Sequence, residues 1–135
     1  MSILRIPRQH LEHLEKIALE TYPEECCGVL LGQARSVSAI WPAANIHDGA
    51  KSDRYAIDPL ELLEVYKSTR EGGREVIGYY HSHPDRAAIP SATDLASAVP
   101  DVSYLILAVS GERVKDRRAW RLSVDAKGFI EEHIR

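Results

Sequence analysis

A histidine pair at the end of an apolar run constrains the fold more than any other feature of the sequence. Residues 76–80 (VIGYY) are apolar, β-branched or aromatic, which predicts a buried strand that continues through His81 and His83. Because side chains alternate between the two faces of a strand, both imidazoles point the same way, with Cβ atoms roughly 7 Å apart. Two histidines at that spacing can converge on one metal ion, with bonds of about 2.0–2.1 Å.

The segment that follows supplies a third candidate ligand, Asp94. Two imidazoles and one carboxylate leave the fourth position of a tetrahedral zinc ion open, which is typical of a catalytic zinc site rather than a structural one. Residues 91–94 (SATD) also match a helix capping box, which places Asp94 in the first helical turn, where the helix dipole favours an anion. Each piece taken singly is more often structural, but the capping and ligand interpretations are compatible.

The order of these residues resembles the motif of the JAB/MPN/JAMM family of zinc-dependent peptidases. That motif is His-x-His, seven residues, Ser, two residues and Asp, and the sequence reproduces it from His81 through Ser91 to Asp94. The family also has an upstream glutamate in a Glu-x-Cys-Gly strand, with which Glu25 aligns and Glu24 does not. A motif of four parts in the same order is far more specific than any local pattern.

The resemblance covers most of the chain and implies a role for each motif residue. His81, His83 and Asp94 are the expected ligands of one zinc ion per chain. Glu25 is the expected general base, which activates water and then passes the proton to the leaving amine. The Ser91 hydroxyl is expected to donate to the developing oxyanion. The phrases around the motif are typical of a short bacterial branch, whose members resemble enzymes that process sulfur-carrier proteins, for example by releasing cysteine from the carrier.

The order of predicted elements indicates the fold class. Strands and helices are interspersed without regular βαβ alternation, which predicts an α+β fold around a mixed, curved sheet in a single domain, residues 1–135. The resemblance implies the same sheet flanked by helices, with a cytidine-deaminase-like architecture. Helices are expected over 7–22, 59–72 and 91–98, a flexible loop over 45–54, and strands over 2–6, 25–31, 36–42, 76–83, 102–109, 117–124 and 128–134.

Composition limits the partners and the compartment. The formal net charge of −3 gives no electrostatic reason to expect nucleic acid or an anionic membrane as a partner, and basic residues at 113–121 are interspersed with acidic ones, as in a solvated hairpin. No signal peptide or membrane-length apolar run is recognised. Because a disulfide between the adjacent Cys26 and Cys27 would be strained, we expect two reduced, packed thiols in a cytoplasmic protein.

The expected function is hydrolysis of the peptide or isopeptide bond after the C-terminal Gly-Gly of a ubiquitin-like or sulfur-carrier protein. A narrow channel would suit such a tail, and loops 45–54 and 85–89 are expected to flank it. A non-catalytic scaffold and a zinc amidohydrolase acting on a small amide remain alternatives. A zinc deaminase would need H-x-E and P-C-x-x-C, which the sequence lacks. The sequence leaves open the identity of the substrate, the oligomeric state and any need for a partner subunit.

Overall fold

A mixed seven-stranded sheet organises the chain, which a computed structural model describes from residue 2 to residue 135. The strands follow the order β1-β7-β6-β5-β4-β2-β3; the pairs β1–β7 and β4–β5 are parallel and the other neighbours antiparallel. The elements are β1 (Ile3–Leu4), α1 (Arg8–Thr21), β2 (Cys27–Gln33), β3 (Ser36–Ala43), α2 (Pro59–Gly72), β4 (Glu75–Pro84), α3 (Ala92–Ser97), β5 (Ser103–Ser110), β6 (Arg113–Leu122) and β7 (Phe129–Ile134). The α+β prediction is confirmed.

Helices α1 and α2 cover opposite faces of the sheet. Helix α1 buries Leu14 and Ala18 in a core cluster that also holds Cys26 and Leu30. Helix α2 buries Val65 in a second cluster beside alternate residues of β2, Val29 and Leu31. Because consecutive residues of β2 enter different clusters, this strand is buried on both faces, as a continuous apolar run predicts. In the part of the chain described, no helix is both long and apolar enough to cross a membrane.

Strand β4 lies near the middle of the sheet, between β2 and β5. It pairs with β2 so that His81 lies opposite Cys27, and with β5 so that His81 lies opposite Ile106. Gly28 lies opposite Tyr80, and a Cβ at this glycine would come within 2.4 Å of the tyrosine ring. The absence of a side chain therefore lets the strand that carries the histidines pack closely against β2.

Local sequence signals account for the ends of α2. The Asp58 carboxylate accepts a hydrogen bond from the Leu60 N–H at 2.9 Å, and Pro59 occupies the first helical turn. At the other end, Gly73 has a φ of +68°, a left-handed conformation that glycine adopts without steric cost. These caps confirm the helix predicted over 59–72.

Strand β6 differs most from its prediction. It begins at Arg113 rather than at 117, and Asp116 pairs with Ala108 of β5 across a register shift. The charged residues at 113–118 lie in the predicted hairpin and are mostly exposed, and because side chains on an exposed face do not prevent backbone pairing, the strand begins earlier than expected. Two of the basic residues here lie in ion pairs, Arg117 with Glu15 of α1 at 2.5 Å and Arg118 with Asp116 at 2.8 Å.

Candidate metal centre

The end of β4 and the start of α3 bring three candidate ligands together, His81, His83 and Asp94. The Nε2 atoms of the two histidines lie 3.1 Å apart. Asp94 Oδ1 lies 3.3 Å from His81 Nε2, and its Oδ2 lies 3.1 Å from His83 Nε2. For a tetrahedral ion with bonds of about 2.0–2.1 Å, adjacent ligand atoms are separated by about 3.3–3.4 Å. One donor atom from each of the three residues lies within 4.8 Å of the other two, close enough for all three residues to bind one metal ion.

The hydrogen bonds of the imidazoles favour the same conclusion. His83 Nδ1 lies 2.8 Å from the Ala87 carbonyl and donates to it, which leaves the lone pair of the neutral ring on Nε2. Burial lowers the pKa of His81, which favours its neutral form. A metal cation bound here would accept the ring lone pairs and one carboxylate oxygen as ligands.

The carboxylate of Asp94 is held by the capping box at the start of α3. Its Oδ2 accepts a hydrogen bond from the Ser91 N–H at 2.8 Å, and the Asp94 N–H donates to Ser91 Oγ at 3.0 Å. Burial opposes ionisation, but the interactions with the adjacent His81 and His83 rings hold the pKa of Asp94 well below its usual range. The Ser91 hydroxyl oxygen accepts the hydrogen bond from the Asp94 N–H, so the hydroxyl proton remains free to donate.

Glu25 lies beside the ligands with one carboxylate oxygen free. It is 1% exposed, whereas Glu24 is exposed. The antiparallel register that places Cys27 opposite His81 brings Glu25 opposite His83 on the same face. Arg86 pairs with Oε2, while Oε1 has no hydrogen-bond partner within residues 2–135. Burial raises the pKa of Glu25 to about 8 against the opposing effect of the Arg86 charge, so its carboxylate binds a proton more tightly than that of an ordinary glutamate.

Two further side chains at the centre received no role from sequence reasoning. The Arg86 guanidinium pairs with Glu25, although an arginine in a polar loop is ordinarily solvated and gave no local signal. The Tyr55 ring stacks on the ring of His81, with centroids 4.7 Å apart and planes at 26°. The stacking supports the orientation of the His81 imidazole.

The first of the two loops expected to flank a groove, residues 45–54, is hydrogen-bonded to the backbone of Glu25. Asn45 Nδ2 donates to the Glu25 carbonyl at 3.1 Å and to the Arg54 carbonyl at 3.0 Å. The Glu25 N–H donates in turn to the Lys51 carbonyl at 2.7 Å. Segment 45–54 was predicted to be flexible, but hydrogen bonds to the N–H and the carbonyl of Glu25 hold it in place.

A cavity of about 350 Å³ opens beside Asp94. Most of its lining is apolar or aromatic, and it is contributed by Arg54, Tyr55, Ala56, Ile57, Leu62, Tyr79, Thr93, Asp94, Ser97, Val99 and Tyr104. Of the two predicted flanking loops, only the first contributes to this lining, through Arg54. Loop 85–89 borders the candidate ligands instead, through the bond between the Ala87 carbonyl and His83.

Solved structures similar to this chain share its sheet. The solution structure of a protein from Desulfitobacterium hafniense superposes with a TM-score of 0.83 at 28% identity, over 98% of this chain and 91% of that one. The crystal structure of a JAB1/MPN domain protein from Archaeoglobus fulgidus superposes with a TM-score of 0.63 at 18% identity, over 99% of this chain and 98% of that one. At that identity the second comparison shows the fold alone.

Sequence comparison identifies the family. The prokaryotic homologs of the JAB domain match residues 7–123. A desampylase of Haloferax volcanii is 38% identical over 75% of this chain and 74% of its own length. A probable TtuB-protein conjugate cleaving protease of Thermus thermophilus is 34% identical over 82% of this chain and 74% of its own, and a CysO-cysteine peptidase of Mycobacterium tuberculosis is 27% identical over 78% and 73%. The chain belongs to the family of prokaryotic homologs of the JAB domain.

Proposed function

We propose that this protein is a zinc-dependent peptidase that hydrolyses the bond after the C-terminal Gly-Gly of a ubiquitin-like or sulfur-carrier protein. The observation that carries the proposal is the convergence of His81, His83 and Asp94 beside the buried carboxylate of Glu25. Relatives named desampylase, TtuB-protein conjugate cleaving protease and CysO-cysteine peptidase support this class of substrate. We assign the activity to a single catalytic domain, residues 1–135, and to the cytoplasm, where the free thiols of Cys26 and Cys27 stay reduced.

The donor set favours zinc over other biological cations. Two imidazole nitrogens and one carboxylate oxygen are common zinc ligands, whereas calcium and magnesium prefer oxygen ligands in larger number. When bound, zinc supplies Lewis-acid chemistry, which polarises a carbonyl group and makes water more acidic. His81, His83 and Asp94 would hold the ion, and the capping box holds Asp94 in place.

The remaining residues move protons and stabilise charge. Glu25 accepts the proton of the attacking water through its free Oε1 and delivers it to the nitrogen that leaves. The Ser91 hydroxyl donates to the oxygen that gains negative charge. The products are a carboxylate on the last glycine of the tail and a free amine, so the reaction consumes one water and needs no covalent intermediate.

The cavity beside Asp94 is the site that we assign to the tail. Its wall includes Tyr55, Tyr79 and Tyr104, and it opens directly at the Asp94 ligand. Consecutive glycines can lie beside these tyrosine rings where residues with larger side chains would clash, because glycine has no side chain. The aromatic lining then excludes water around the bond to be cleaved.

Paired metal and activity measurements test the proposal. We expect purified wild-type protein to hold one zinc per chain by elemental analysis and to cleave a ubiquitin-like carrier that is extended beyond Gly-Gly. His83→Ala should lose both zinc and cleavage, whereas His13→Ala, at an exposed position of α1, should keep both. Full zinc occupancy in His83→Ala would remove this histidine from the ligand set. Failure of zinc-loaded wild type to cleave any such carrier would refute the substrate class.

A further inference from the structure

Arg86 reaches the buried Glu25 from the protein surface. One guanidinium nitrogen, Nη2, pairs with Glu25 Oε2, yet the arginine side chain stays 33% exposed. Within the described residues this is the one hydrogen bond that the guanidinium makes. Because arginine carries five N–H donors in a planar fork, most of its donors remain available at the edge of the catalytic site.

The loop that carries Arg86 is fixed by side chains from distant elements. The Tyr22 hydroxyl, at the end of α1, donates to the Asp85 carboxylate at 2.9 Å. The Trp120 indole N–H, on β6, donates to the Ala88 carbonyl at 3.0 Å, and Ala88 is buried. These contacts hold the loop on both sides of Arg86 and so fix the position of this residue, as a binding role requires.

Arg86 also lines a second cavity, which shares no lining residue with the cavity assigned to the tail. This cavity has a volume of about 430 Å³ and is lined by Asp85, Arg86, Ala87, Ala108, Val109, Ser110, Lys115 and Asp116. Its acidic groups are engaged, since Asp85 accepts from Tyr22 and Asp116 accepts from Arg118 at 2.8 Å. Lys115 forms no ion pair in residues 2–135. Two cationic side chains with unused donors therefore border this space.

We propose that Arg86 binds the α-carboxylate of the leaving group, so that the enzyme prefers a tail linked to a single terminal amino acid over a tail linked to a lysine side chain. This inference rests on the function proposed above. Glu25 returns a proton to the leaving nitrogen, which must come within about 2.6–3.2 Å of its free Oε1. In a terminal amino acid the carboxylate is attached to the carbon next to that nitrogen, within reach of a guanidinium that already contacts Glu25. A lysine ε-amine within a protein carries no carboxylate there.

A role limited to holding Glu25 makes a different prediction for Arg86. A positioning residue affects every substrate equally, because each one needs the same carboxylate. A carboxylate-binding residue affects only substrates that end in a free carboxylate, through a charge-assisted hydrogen bond. The ratio of two rates, rather than either rate alone, therefore separates the two roles.

The kinetic test uses one Gly-Gly-tailed carrier extended by a single alanine, either as the free acid or as the carboxamide. For wild type we expect kcat/KM to favour the acid by about tenfold to a hundredfold, the effect of one charge-assisted hydrogen bond. Arg86→Gln should slow both substrates and bring the ratio near one, while Arg86→Lys should retain part of the preference. Arg117→Gln, which alters a cation that pairs with Glu15 instead, should leave the ratio unchanged. A ratio near one in wild type, or an unchanged ratio in Arg86→Gln, overturns the assignment.

A binding measurement without turnover separates this inference from the proposed function. The probe is the tail peptide with a reduced CH₂–NH link before the alanine, which cannot be hydrolysed. We expect the acid form to bind wild type about tenfold more tightly than the carboxamide form and to shift the backbone amide signals of residues 85–89 in NMR spectra, with the difference lost in Arg86→Gln. Equal binding of the two forms overturns the role of Arg86. Acid-selective binding without cleavage of any carrier supports this role and refutes the proposed peptidase function.

Discussion

Glu24 and Glu25 are adjacent, carry the same side chain and lie in different surroundings. Glu24 faces solvent, whereas Glu25 is buried against the candidate ligands, because consecutive residues of an extended chain point to opposite faces. Burial raises the pKa of Glu25 to about 8, and the charge of Arg86 counteracts that rise. At the scale of one residue, the surroundings rather than the residue type make a carboxylate suitable as a general base.

Glu25→Gln tests this assignment against its neighbour. The substitution preserves the shape of the side chain and removes the proton acceptor, so we expect kcat to fall by about 10²–10⁴-fold with zinc content unchanged. Glu24→Gln, the matched control on the exposed face, should cleave at the wild-type rate. Steady-state cleavage of a Gly-Gly-tailed carrier and elemental analysis supply the two measurements. Loss of activity in Glu24→Gln alone would move the role to that residue.

Helix α3 is short, and its first turn combines two tasks. Ser91 caps the helix by accepting a hydrogen bond from the Asp94 N–H, and the Asp94 carboxylate closes the box on the Ser91 N–H. The same carboxylate lies 3.1 Å from His83 Nε2. At the scale of one element, the cap therefore stabilises the helix and aims the metal ligand at once.

Replacing the cap residue should separate its effect on folding from its effect on catalysis. Ser91→Ala removes the acceptor for the Asp94 N–H, so we expect the free energy of unfolding of the metal-free protein to fall by about 1 kcal/mol in urea denaturation. Cleavage should fall further, because the oxyanion loses its donor. Ser91→Thr retains a hydroxyl and should restore both quantities in large part. An unfolding free energy in Ser91→Ala equal to that of wild type would show that the cap does not stabilise α3.

A buried ion pair joins parts of the chain that are far apart in sequence. Glu132 of β7 is buried, and its carboxylate accepts from the Ser103 hydroxyl at 2.7 Å and pairs with Arg35 in the turn between β2 and β3. Arg35 Nε also donates to the Ile3 carbonyl at 3.3 Å. At the scale of the whole molecule, this network connects both terminal strands to the middle of the sheet.

Removal of the cation should therefore destabilise the whole fold. Arg35→Gln leaves the Glu132 carboxylate buried without its partner charge, and we expect the free energy of unfolding to fall by about 3 kcal/mol. The double variant Arg35→Gln/Glu132→Gln should recover part of that loss, because no buried charge remains. Arg5→Gln, at an exposed position, is the control and should change stability by less than about 0.5 kcal/mol. Urea denaturation of all four proteins at one zinc concentration supplies the comparison.

Local patterns were sufficient to predict the candidate ligands and most of the elements. Strand alternation places His81 and His83 on one face, and the capping box places Asp94 in the next helix, so residues within a short stretch define the geometry of the metal centre. Glu25 needed more than a local pattern, because its neighbour has the same chemistry. The order and spacing of the family motif identified it, and its burial agrees with that choice.

The remaining contacts depend on how the strands pair, and no local signal reports them. Arg86 meets Glu25 across a separation of 61 residues, and Arg35 meets Glu132 across 97. Charged side chains are ordinarily solvated, so only the assembled sheet shows that these four are paired. The second cavity likewise forms where the Arg86 loop meets the facing ends of β5 and β6. Spacing within the sequence defines the metal ligands, whereas tertiary packing decides which charges surround them, because ion pairs between distant segments exist only after the sheet has formed.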